Sequence, residues 1–110
     1  ATRSVHDQAE RLRAQGVPFV HARVVLAGAQ RLQAWDEAII LLDGTIEGFV
    51  GGQCAEATVR SQGIAALQSG CSVLLRISPI VEANQQGKLT VHNPCLSGGT
   101  LEIFMEPVLP

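Results

Sequence analysis

Residues 37–56 read EAIILLDGTIEGFVGGQCAE, and this stretch restricts the fold more than any other in the chain. Glu37 to Leu42 is an apolar run of strand length. Asp43-Gly44 marks a tight hairpin turn, because glycine tolerates positive φ and aspartate often does. Thr45 to Val50 returns as the partner strand and Gly51-Gly52 breaks it. Gln53 to Ser69 then carries Ala55, Val59, Ala66 and Leu67 near helical spacing, and Gly70 supplies a stop. A hairpin that feeds a helix through a glycine pair requires a sheet with helices laid on it.

The flanking sequence fits that requirement. Ser4 is placed to cap a first helix that runs to Gln15, with Val5, Ala9 and Leu12 as its apolar stripe and Gly16 as its stop. Pro18 to Ala27 reads as a strand with Val20, Ala22, Val24 and Leu26 on one face and His21 and Arg23 on the other. Gly28 to Trp35 has no period and reads as a loop. Ser72 to Ile77 is a buried strand, Ser78 to Gly87 a polar loop, Lys88 to His92 a short strand and Thr100 to Glu106 a last strand. Pro107 to Pro110 reads as the start of a linker. The expected fold is α+β (α/β-type): a single mixed sheet of about five to six strands with two helices packed on one face. The 110 residues make one domain, with 1–16 as its N-terminal helix.

Composition narrows the function classes. A net charge of -2 and eight scattered basic residues leave no stripe for a nucleic-acid backbone. No run approaches the roughly 20 apolar residues of a membrane span, and the polar start is unlike a signal peptide. The three cysteines, Cys54, Cys71 and Cys95, are an odd number, which reads as reduced thiols in a cytoplasm. Cys71, opening a strand, reads as core. No CxxC or HxxxH spacing supports a dedicated metal site from Cys54, Cys95 and His92.

Two segments carry the candidate chemistry. Gly51-Gly52-Gln53-Cys54-Ala55-Glu56 puts a close-approach turn before a helix N-terminus, whose free N–H groups suit a phosphate and favour a thiolate at Cys54. Glu56 opposes an anion there. His92-Asn93-Pro94-Cys95-Leu96-Ser97-Gly98-Gly99 is a loop of turn formers between two strands.

These residues resemble the XdhC/CoxI family of accessory proteins for molybdenum hydroxylases such as xanthine dehydrogenase and carbon monoxide dehydrogenase. The likeness rests on Asp43 to Glu56 and on Val91 to Pro107, and its spacing extends from about Val17 to Pro107. It implies a bacterial, cytoplasmic chaperone that binds molybdenum cofactor of the molybdopterin type, holds it transiently and passes it to an apo-hydroxylase, without catalysis of its own. A sulfurase is a further partner it implies. The site residues carried over are Gly51, Gly52, Gln53, Cys54, Glu56, Cys95, Ser97, Gly98 and Gly99. Apart from the resemblance, Arg31 would supply a charge-assisted contact if its loop folds over the site. Many members continue into a Rossmann-like domain, so the chain is either an excised domain or a small stand-alone member, and a homodimer or a separate Rossmann-like partner both stay open. Two other readings of the residues remain: a thiol-based sulfur-transfer enzyme using Cys54, and a ligand-free interaction module.

Overall fold

A computed structural model describes residues 2–27, 36–48, 52–83, 86–96 and 99–110. In chain order the elements are α1 (Thr2–Gln15), β1 (Phe19–Ala27), β2 (Glu37–Leu41), β3 (Ile46–Gly48), α2 (Gly52–Ser69), β4 (Val73–Ser78), β5 (Leu89–His92) and β6 (Leu101–Val108). They form a six-stranded mixed sheet in the order β3-β2-β1-β6-β4-β5. β4 and β5 pair in parallel, and the other neighbours are antiparallel. The expected mixed sheet with two helices is therefore present.

The local signals account for most boundaries. α1 starts at Thr2, ahead of the predicted cap Ser4, and ends as expected. There the Val17 N–H reaches the Leu12 carbonyl at 3.0 Å, the Gly16 N–H reaches Arg13 at 3.2 Å, and Gly16 has a φ of +70°. This is the paired C-terminal closure that a left-handed residue permits. The β2–β3 turn forms at Asp43-Gly44, where an Asp43 carboxylate oxygen accepts the Thr45 N–H at 2.9 Å. That N–H is the main reason the Asp43 carboxyl is held below its ordinary value.

Three expectations change. The helices lie on opposite faces of the sheet, not on one. Val20, Ala22, Ala38 and Ile40 pack with Ala55, Val59, Ala66 and Leu67 of α2. Phe19 and Ile39, the alternate residues of the same strands, pack with Val5 and Leu12 of α1. Strands apolar at both parities need cover on both sides. The chain end also differs: β6 runs through Pro107 to Val108, which pair with Val20 and Phe19, so the linker reading fails there. Proline is tolerated because the β4 pairing stops at Met105, which leaves one side of β6 free of ladder bonds. The β1 alternation holds as far as Val24. An irregularity between Val24 and Leu26 then shifts the register, and Leu26 is exposed.

The α1 face of β4 and β6 is charged. Arg76 and Glu102 are register partners. Arg76 donates to Glu82 through Nε at 2.8 Å and to Glu102 through an Nη at 2.6 Å, and Lys88 Nζ donates to Glu102 at 2.7 Å. Burial pushes the Glu102 carboxyl up, but the Lys88 and Arg76 hydrogen bonds and charges outweigh it and leave the group below its ordinary value of 4.5. Glu82 is lowered chiefly by Arg76. A carboxylate with a depressed native pKa contributes stability above its unfolded pKa and loses it as the pH falls through the native one. Stability is thus expected to fall as the pH drops below the ordinary carboxylate value of 4.5 and on through the lowered native values. Glu102→Gln is expected to cost about 2 kcal/mol at neutral pH and to flatten that drop, as read by urea unfolding across pH. An unchanged acid limb in the variant removes Glu102 from the account.

Candidate functional site

The topology brings the two chemical segments to one end of the sheet. β1 and β3 run the same way, and so do β4 and β5, so the carboxyl ends of all four strands share one rim with the start of β6. From that rim the chain enters α2 after β3, and the loop from Asn93 leaves β5. Carboxyl ends of strands beside a helix N-terminus are where such sheets leave room for a ligand.

Cys54 stands in the first turn of α2 and Cys95 in the loop after β5. They form a disulfide, with Cα atoms 5.6 Å apart across 41 residues of sequence. The expectation of three reduced thiols is thereby corrected. An odd count permits one pair with one cysteine over, and that one is Cys71, free and exposed, not core as expected. Cys95 is exposed and Cys54 half-buried.

Asn93 binds the two segments together. Its Nδ2 donates to the Cys54 carbonyl at 2.6 Å and its Oδ1 accepts the Cys95 N–H at 3.1 Å. Its own N–H donates to the Ser78 carbonyl at the end of β4, 2.8 Å away, and its carbonyl accepts the Leu96 N–H at 3.1 Å. Leu96 is buried in the main core. The loop is thus fastened to α2, to β4 and to the core. The sequence motif contains Asn93, but sequence alone assigns it no role. Its signal was an asparagine before proline in a turn-rich loop, where a side chain that both donates and accepts can join two backbone segments.

Glu56 turns along the helix to Arg60, whose Nη lies 3.0 Å from its Oε1. Arg60 Nε also donates to the Gly44 carbonyl at 2.8 Å, which ties α2 to the hairpin turn. The predicted opposition of Glu56 to an anion is therefore offset by a neighbouring guanidinium. Gln53 lies in the first turn of α2 as expected, and the helix begins one residue earlier than expected, at Gly52. Gly99 precedes β6 with a φ of +96°. Gly51, Ser97, Gly98 and the Gly28 to Trp35 loop with Arg31 lie outside the described residues. His92 is exposed in register with Ser78. His6 is exposed and His21 is partly buried, with Nε2 2.7 Å from Glu37 Oε1. Among the described residues no group of three His, Cys, Asp or Glu is placed to hold a metal ion, and no helix is long and apolar enough to cross a membrane.

These features define an α+β domain with a cysteine-bridged, asparagine-fastened rim at the carboxyl ends of its strands. A family model described as the XdhC and CoxI family matches residues 12–78, more than half of the 110. The chain belongs to that family. The match spans the Cys54 segment and stops before the Cys95 segment. Among solved structures, a protein titled a xanthine dehydrogenase from Bacillus halodurans superposes with a TM-score of 0.68 at 21% identity, over 93% of this chain and 30% of that one. It shares the fold, and the chain spans under a third of its length. No curated protein matches.

Proposed function

We propose that this domain binds molybdenum cofactor at the rim between α2 and the Asn93 to Gly99 loop, holds it, and passes it to an apo molybdenum hydroxylase of the xanthine or carbon monoxide dehydrogenase type. The observation that carries the reading is the meeting of Cys54 and Cys95 at a helix N-terminus, in a chain of the XdhC and CoxI family. The cofactor is cargo here. Its phosphate suits the free N–H groups that open α2, and thiolates at Cys54 and Cys95 are soft donors suited to a thiophilic metal or its sulfur ligands. Only the reduced pair offers those donors, so the loading form is the dithiol. A reducing cytoplasm is the compartment this implies. A sulfurase acting on the held cofactor is a second partner in the same scheme.

Anaerobic titration of the reduced chain with molybdenum cofactor tests the reading, with bound pterin and metal counted. One saturable equivalent is expected for the wild type, and a loss of roughly tenfold in affinity (about 1.4 kcal/mol) for Cys54→Ser and for Cys95→Ser. A folded, reduced wild type that binds no cofactor sinks the proposal for this domain.

A further inference from the structure

Glu37 is already taken up by the His21 ring at 2.7 Å and the exposed His6 ring at 3.5 Å, the Arg76, Glu82, Glu102 and Lys88 cluster satisfies itself, and nothing shows what covers the exposed Ile80 and Val81.

The geometry points to Cys54 and Cys95 as a reversible thiol–disulfide exchange site of the folded domain, with external thiols as its reaction partners, rather than a fixed structural crosslink. Three observations support it. The bond lies at the rim with Cys95 exposed, within reach of an incoming thiol. The fold does not depend on it for its core: the cluster under α2 is assembled from sheet and helix side chains together with Leu96, and Cys54 only packs against its margin. The partners are also held together without it, since Asn93 fastens the loop to the Cys54 carbonyl and to Ser78, and Leu96 anchors it in the core. An opened pair therefore stays poised to close again.

The two sulfurs have different roles. A thiolate attacks the exposed Cys95 Sγ, forming a mixed disulfide as the protein S–S bond breaks. The electron pair leaves on Cys54 Sγ, in the first turn of α2, where the helix N-terminus favours negative charge and makes Cys54 the better leaving group. Cys54 then takes a proton, and its thiol has an acceptor ready in the Cys95 carbonyl oxygen, 3.1 Å from Sγ. A second external thiol attacks the mixed disulfide and releases Cys95. The net reaction converts one protein disulfide and two thiols into one protein dithiol and one external disulfide, with two electrons and two protons transferred to the protein. In the reverse direction Cys95 captures an oxidised thiol and Cys54 resolves it.

The test uses the native chain with glutathione and no cofactor. The chain is equilibrated over graded ratios of reduced to oxidised glutathione, quenched with acid, alkylated and weighed. Cys54 and Cys95 are expected to become alkylated together over one range of ratios and to be protected again on reoxidation, while Cys71, the free cysteine, exchanges with glutathione singly and independently of the pair. Oxidised glutathione is expected to leave a persistent adduct on Cys95 in Cys54→Ser, and one formed at least about tenfold more slowly on Cys54 in Cys95→Ser. A pair that opens only in denaturant overturns the inference, and so does a pair that stays alkylatable at the most oxidising ratio. Equal adduct rates in the two variants overturn the assignment of roles. Because no cofactor enters the experiment, its failure is distinct from failure of the cofactor titration.

Discussion

Gly48→Ala is expected to destabilise the domain by about 3 kcal/mol or more, and to lower the midpoint of thermal unfolding by roughly 10 °C or more. Gly48 ends β3 with a φ of +102°, a conformation side chains rarely adopt. A Cβ there would lie 2.4 Å from the Glu37 carbonyl oxygen and 2.8 Å from Ala38 Cα. Both obstacles are backbone, and neither is free to retreat. Ala38 and Glu37 are paired on their other side with Ala22 and Arg23 of β1, which is itself paired with β6. The contact must instead be relieved by lifting β3 off the sheet. The chain passes from Gly48 to the start of α2 within a few residues, so the displacement reaches Cys54. Circular dichroism melting of the variant reads the effect directly. A midpoint within a degree or two of wild type would show that β3 adjusts without cost.

The elements visible in the sequence were those with local chemistry. Asp43-Gly44 makes its turn because an aspartate side chain and a glycine suffice for it, and Gly16 and Gly70 end their helices by the same short-range logic. The order of the sheet has no such signal. Nothing in Leu101 to Val108 says that it inserts between β1 and β4, or that β5 runs parallel to β4, because those pairings are settled by packing across long stretches of chain. The two-sided sheet was legible in principle from Phe19 beside Val20 and Ile39 beside Ile40. A period-2 reading that assigns one apolar face passes over it. At the site, motif chemistry picked out Cys54 and Cys95, but counting cysteines misjudged their pairing, since only the fold sets residues 41 apart at bonding distance. Asn93 and Arg60 gain their roles from neighbours distant in sequence, and their residue types alone would not assign them.

Phe19→Ala, the other large effect, separates the two sides of the sheet. Phe19 is fully buried, and among the described residues its cluster under α1 has Val5, Leu12 and Ile39 as its other buried members. Removing a phenylalanine from so small a cluster is expected to cost about 3–5 kcal/mol, because the cavity borders an amphipathic helix with few other anchors. The larger cluster under α2 lies on the opposite face and keeps its own contacts. Amide exchange in α1 is therefore expected to speed up well before that of β1, β6 and α2, and the Cys54–Cys95 pair on the α2 side is expected to keep its oxidation behaviour at temperatures where the sheet stays folded. If α1 and α2 lose protection together, the two clusters form one cooperative unit. In that case the Cys54–Cys95 rim is coupled to α1 through the sheet, and Val5 and Leu12 become determinants of its oxidation behaviour as well as of stability.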